Sequence, residues 1–244
     1  MSMPLQLPPL QPSDIPICVE IYFFAFQNPH SLACWPRVPS VRKWWEDMFT
    51  REMASETGSH WFKAVDLSPA DGEPVVVGFV KWQEPRGDGV EPETELPEWP
   101  AEADGRVCEE TFGEWGRRRR ELMGGGGGIG NVPKRIEEGE ELMMAPDLEI
   151  IATNPQYQGR GAGSMMINWG LERADIDNVE AYLEASPEAV SLYEKLGFQN
   201  VASTDTWIQN ERVKGEWYRN LFMIRPGRGR KSGKGGLDAA IVIL

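Results

Sequence analysis

Apolar positions along the chain follow two periods, and together they predict an alternation of helices and strands. Ser13 or Asp14 caps a run from Ile15 to Phe26 in which Ile17, Glu20, Ile21 and Phe24 fall at helical spacing, the apolar members forming one stripe. Asn28-Pro29 is read as the end of that helix. A second helix is predicted near Val41 to Met53, behind Ser40. Strand patterns occur at Pro4 to Pro9, weakened by its prolines, at Trp61 to Leu67 and at Val75 to Trp82, with Asp71-Gly72 in the intervening hairpin turn. Asp147 to Thr153 is the plainest strand of all, and a helical run from Gly161 to Ala174 follows it. Val179 to Ala185 reads as another strand. Ser186-Pro187 then opens a short helix that stops at Leu196-Gly197, with serine as cap, proline in the first turn and glycine just past the end. Phe198 to Thr206 and Glu216 to Ile224 predict two final strands joined by a polar turn.

Two stretches break this alternation. Glu84 to Glu110 carries ten acidic and two basic side chains, with four prolines by Pro100, and such a composition buries too little apolar surface to offset its ordering entropy. Cys108 to Met123 returns to a helical pattern and carries Arg117 to Arg120, read either as an anion-binding group or as a solvated helix face. Gly124 to Gly128 is a flexible run, and the segment after Pro226 is rich in Gly, Arg and Lys. The predicted organisation is one domain over residues 1–226, with a partly disordered insertion at about 84–145 and a tail over 227–244.

The chain has 244 residues, 41% of them hydrophobic, with ten tryptophans, which fits a globular protein with a sizeable core. No apolar run approaches the roughly 18–20 residues of a membrane span. Met1 to Leu10 lacks a basic segment followed by an apolar stretch, so no secretory signal is predicted. Cys18, Cys34 and Cys108 read as free thiols of a reducing compartment, and a cytoplasmic location is expected, with the nucleus open. His30 and His60 are the two histidines, too few for a zinc site without paired cysteines, so no metal is expected. A net charge of −13 disfavours nucleic acid and fits either simple solubility or the attraction of a cationic substrate such as an amine.

Gln158-Gly159-Arg160-Gly161-Ala162-Gly163 lies between the plainest strand and the helix after it. A glycine-rich turn entering a helix exposes backbone N–H groups where the helix dipole is positive, a place suited to phosphate. The lysine of a P-loop is missing, and the spacing of the dinucleotide and kinase glycine loops fails at Ser164 and Met166. The pattern Gln-x-x-Gly-x-Gly resembles the acyl-CoA-binding motif of the GCN5-related N-acetyltransferases (GNAT). Leu192-Tyr193-Glu194-Lys195-Leu196-Gly197-Phe198, one strand later, is similar to a second motif of that family. The resemblance is strong over about Asp147 to Val201. The stretch Arg118 to Gly125 also resembles a feature of fungal-type members.

This resemblance implies an α/β (α+β) fold: a mixed, mostly antiparallel, twisted sheet of six or seven strands, flanked by helices, with two central strands splayed apart. It implies that the amides of Gln158, Gly159, Arg160, Gly161, Ala162 and Gly163, with the Ser164 hydroxyl, cradle the pyrophosphate of acetyl-CoA, the cosubstrate. Arg160 reads equally as a phosphate partner and as a solvated side chain. The backbone of Ile151, Ala152 and Thr153 would line the pantetheine cleft, and an amide near Ile151 would polarise the thioester carbonyl. Tyr193 matches the family's general acid, its other role being core packing. Glu149 and Asp147 are candidate bases, two residues apart on one face of a strand, where mutual repulsion would raise one pKa; both at a solvated strand end is the other reading. The implied activity is acetyl transfer from acetyl-CoA to a primary amine of a small molecule or peptide by direct attack in a ternary complex. The alternative is a non-catalytic CoA-binding or scaffold protein of the same fold. The acceptor is not written in these motifs.

Overall fold

The structure, a computed structural model, describes residues 5–68, 72–84, 96–123, 146–211 and 213–227. The glycine run 124–128 and the tail beyond 227 lie outside the described residues.

Seven strands form one sheet: β1 (Leu5–Gln6), β2 (Ser59–Asp66), β3 (Val75–Gln83), β4 (Asp147–Thr153), β5 (Ala181–Ala185), β6 (Gln199–Ile208) and β7 (Glu216–Arg225), in the order β1-β2-β3-β4-β5-β7-β6. All neighbouring pairs are antiparallel except β4 and β5. That parallel pair is short. Asp147 faces Tyr182 and Leu148 faces Leu183; beyond these positions the two strands are no longer paired. The sheet is therefore forked at its centre, as the family resemblance implied.

Among the described residues, six α-helices cover the sheet: α1 (Ile15–Ala25), α2 (Pro29–Cys34), α3 (Pro39–Ser55), α4 (Gly105–Met123), α5 (Ala162–Asp177) and α6 (Val190–Lys195). One core cluster packs α1, α2, α3 and α4 against Phe79 of β3 and Ile150 and Ala152 of β4. The other packs α5 and α6 against Val80, Trp82, Leu148 and Ile151. The alternation of these strand residues between clusters is the two-residue period of the pleat. It breaks once. Ile150 faces Lys81 while Leu148 faces Trp82, so Glu149 is the extra residue of a β-bulge.

Three local readings change. Asn28-Pro29 ends α1 and also begins α2, since the Asn28 side chain accepts from the Ser31 N–H and Pro29 takes the first helical position. Ser186-Pro187 opens a turn, closed by the Ala189 N–H on the Ser186 carbonyl, and α6 starts only at Val190. Within the acidic stretch, residues 96–104 pack: Trp99 lies 5.7 Å from Trp35 and 5.4 Å from Phe112, and the Trp44 indole donates to the Glu98 carbonyl. Asp104 accepts from the Val107 N–H in the first turn of α4. Residues 85–95 lie outside the described ones.

Candidate active site

The glycine-rich turn leads out of β4 through a 3₁₀ turn at Pro155–Tyr157 and enters α5 at Ala162. Gly159 has φ +75° and Gly161 φ +92°, the left-handed region that glycine enters at no steric cost. Gly161 is the N-cap of α5 and, lacking a side chain, leaves the first amides of the helix uncapped. At both glycines an added Cβ would meet no atom within 4 Å, so open space lies before the backbone. These are the features a phosphate cradle needs: bare amides, a positive helix end and room for close approach. Gln158 is exposed, its Nε2 donating to the Thr153 carbonyl at 3.3 Å. Arg160 is exposed and also makes contacts within the protein. Its guanidinium pairs with Asp66 at 2.7 Å and donates to the Ser68 hydroxyl at 3.1 Å, tying the turn to the end of β2.

The turn is placed by a tight helix–sheet contact. A Cβ on Gly170 of α5 would lie 2.4 Å from the Trp82 indole, whose Nε1 donates to the Met166 carbonyl at 3.1 Å. On β3, a Cβ on Gly78 would lie 2.7 Å from the Ala152 carbonyl. Bare backbone at these two positions lets α5, β3 and β4 approach closely, and α5 starts past the end of β4 where the fork is open.

Ile151, Ala152 and Thr153 lie on β4 beyond the last residue paired with β5, so the strand they form is the fork's β4 arm. Across the fork from α4, Tyr193 of α6 is buried in the α5–α6 cluster, its ring 5.8 Å from Phe198. Burial pushes its hydroxyl pKa above the ordinary tyrosine value, so the proton is held.

Asp147 and Glu149 are neither solvated nor left to repel each other. On the α3–α4 face, Lys81 pairs with Glu149 at 2.5 Å, Glu56 at 2.6 Å and Glu52 at 3.1 Å. Arg119 pairs with Asp147 at 3.1 Å and Glu184 at 2.9 Å, and lies 4.0 Å from Glu149. Lys81 is 4% exposed, and its carboxylate neighbours, Glu149 first, push its pKa upward despite burial. Burial pushes Glu52 upward. Glu52, Glu56, Lys81 and Glu184 were not foreseen, and Arg119 was read only as one of four arginines, because these residues come from α3, β3, α4 and β5, and no sequence spacing joins them.

A separate buried group lies between α2, α4 and the β6–β7 hairpin. His30 Nε2 is 3.1 Å from the Thr111 hydroxyl, its ring stacks on Tyr218 at 5.2 Å, and burial pushes its pKa down to about 4. Among the described residues, no group of three or more His, Cys, Asp or Glu side chains is arranged to hold a metal ion, and no helix is long and apolar enough to cross a membrane.

Residues 120–200, which run from the last turn of α4 through the fork, the glycine-rich turn and α6, match the family model described as acetyltransferase (GNAT) domain. The fold is similar to that of a histone acetyltransferase and related acetyltransferase from Corynebacterium glutamicum, at a TM-score of 0.52 and 20% identity over 92% of this chain and 97% of that one. It is equally similar to a GNAT superfamily phosphinothricin acetyltransferase from Sinorhizobium meliloti solved in complex with AcCoA, at a TM-score of 0.52 and 16% identity over 96% of this chain and 95% of that one. The forked, mostly antiparallel sheet with helices on both faces is thus the fold of these acetyltransferases.

Proposed function

We propose that this protein is an acetyl-CoA-dependent N-acetyltransferase acting on a primary amine of a small molecule or a peptide. The observation that carries this reading is the uncapped, left-handed glycine turn at the α5 N-terminus, which follows the end of β4 where the β4–β5 fork is open. The first suits a pyrophosphate. The second suits an extended arm whose amides pair with the free edge of β4.

In this reading the amides of Gln158 to Gly163 hold the phosphates, with the Ser164 hydroxyl beside them. The backbone of Ile151 to Thr153 holds the arm, and an N–H near Ile151, next to the bulge, faces the thioester carbonyl and stabilises negative charge on its oxygen. A neutral amine attacks the carbonyl carbon directly, forming the C–N bond as the C–S bond breaks. Tyr193 gives its proton to the departing sulfur. Glu149, with Asp147 on the same Arg119, takes the amine's proton, directly or through water. Arg160 supports the turn by its ion pair with Asp66.

The alternative, a CoA-binding protein without turnover, is favoured by one observation: Glu149 is already engaged by Lys81 at 2.5 Å. Calorimetric titration with acetyl-CoA tests both readings at once. Saturable binding is expected, and Gly161→Val, which forces a side chain to φ +92°, should weaken it at least tenfold. A protein that shows no saturable heat with acetyl-CoA is neither. A screen of amines, polyamines and peptide N-termini with acetyl-CoA then separates enzyme from binder.

A further inference from the structure

The fork has a clasp. Glu149 and Glu184 are each the first residue past the last paired position of β4 and β5, where Leu148 faces Leu183. Two carboxylates at the point where two strands part would push them further apart, the more so because the Glu184 side chain is only 3% exposed. Arg119 stands between them. Its Nη2 donates to Oε1 and Oε2 of Glu184 at 2.9 and 3.1 Å, its Nε to Oε1 at 3.2 Å, and its Nη1 reaches Asp147 at 3.1 Å and Glu149 at 4.0 Å. The Tyr182 hydroxyl donates to the same Glu184 oxygen at 2.9 Å, and the guanidinium lies 5.9 Å from the Tyr182 ring centroid. Arg117 and Arg118, its helix neighbours, spend their donors on Glu114 and Glu121 of the same helix. Among the described residues, Arg119 is the cation that ion-pairs with both arms of the fork.

We infer that Arg119 is a positioning residue: its guanidinium, set between β4 and β5, fixes the width of the fork and the place of Glu149 beside it. This inference rests on the acetyltransferase reading for its consequence, the fit of the pantetheine arm. A planar fork of donors spans two strands, which a lysine ammonium on a flexible stem does not. The glycine turn at the other end of the fork is built by different residues, so losing the clasp should spoil the grip on the arm and spare the grip on the phosphates.

Acetyl-CoA and ADP, which offers the pyrophosphate but no pantetheine arm, are titrated into the wild type, Arg119→Met, Arg118→Met and the double variant Arg119→Met/Glu184→Gln. Near-UV circular dichroism checks that each is folded. Arg119→Met should weaken acetyl-CoA binding on the order of tenfold and leave ADP unchanged. Arg118→Met should change neither. The double variant, relieved of one repelling charge, should recover most of the loss. Should Arg119→Met unfold, Arg119→Lys takes its place, with a several-fold loss confined to acetyl-CoA expected. A folded Arg119 variant that binds acetyl-CoA as the wild type does, or that loses acetyl-CoA and ADP alike, overturns the inference. A wild type that binds no acetyl-CoA overturns the acetyltransferase reading instead. The clasp is then read by amide hydrogen exchange in residues 147–150 and 182–185, which must speed up in Arg119→Met for the inference to stand.

Discussion

Tyr193 and His30 are both buried, and burial moves each pKa in the direction that favours the neutral form: upward for the phenol, downward for the imidazole. For Tyr193 this means a hydroxyl that keeps its proton at any ordinary pH, as a general acid must. Tyr193→Phe keeps the ring beside Phe198 and removes only the hydroxyl, so turnover should fall on the order of a hundredfold while acetyl-CoA affinity holds. An unchanged rate constant would assign the tyrosine to the core and move the acid elsewhere. For His30 the consequence is stability. The unfolded chain takes up this proton near pH 6.5, while the folded one resists until about pH 4. Between those values the unfolded state binds more protons, so stability is full above pH 6.5 and is lost as pH falls towards 4, by up to about 3 kcal/mol. Urea denaturation from pH 7 to 4 should show this slope, and His30→Gln, though less stable at neutral pH, should flatten it. An equally steep slope in the variant would place the acid sensitivity in other groups, such as Glu114 and Asp205, whose arginine partners hold their carboxyls below the usual range.

At the scale of elements, the contact between α5 and β3 decides where the glycine turn points. Gly170 meets the face of Trp82, a side chain 1% exposed and anchored to the Met166 carbonyl, so neither partner has room to give. Gly170→Ala should therefore destabilise by about 1–3 kcal/mol in urea denaturation and weaken acetyl-CoA as α5 lifts. Gly113→Ala in α4, where the nearest atom to an added Cβ is 3.8 Å away, should do the reverse and stabilise by roughly 0.5–1 kcal/mol. If both changes cost the same, the close approach is not what holds α5. The elements around this contact were legible in the sequence because their signals are local: an apolar run for β4, glycines where φ must be positive, an amphipathic run after them. Element α2 was missed because Asn28-Pro29 reads equally as a stop and as a cap with proline in the first turn. The late start of α6 was missed because Ser186-Pro187 builds a turn from the same residues that build a helix start. The Arg119 clasp had no local signal at all: Asp147 lies 28 and Glu184 65 positions along the chain, and Arg119 looks like its neighbours in a run of four arginines.

Across the whole molecule, the sheet consists of two antiparallel halves, β1 to β4 and β5 with β7 and β6, joined at the centre by two residue pairs of parallel strand. Two separate cores lie on its faces, each joining residues of both halves, and α5, which leaves β4 and returns the chain to β5, and the Arg119 ion pairs cross the seam as well. A ligand lying along the fork would contact the seam itself, and it binds only the folded chain. At a hundred times its dissociation constant such a ligand adds about 2.7 kcal/mol. For a chain of this size that corresponds to a rise in Tm of roughly 5–10 °C. Acetyl-CoA should produce such a rise, and ADP a smaller one because it reaches the glycine turn but not the seam. Hydrogen exchange should slow most in residues 148–153, 158–164 and 182–185. The β6–β7 hairpin, paired at nine positions and away from the seam, should change little. Protection spread evenly over both halves would mean that acetyl-CoA stabilises the fold without occupying the fork, and the assignment of Ile151 to Thr153 to the pantetheine arm would fall with it.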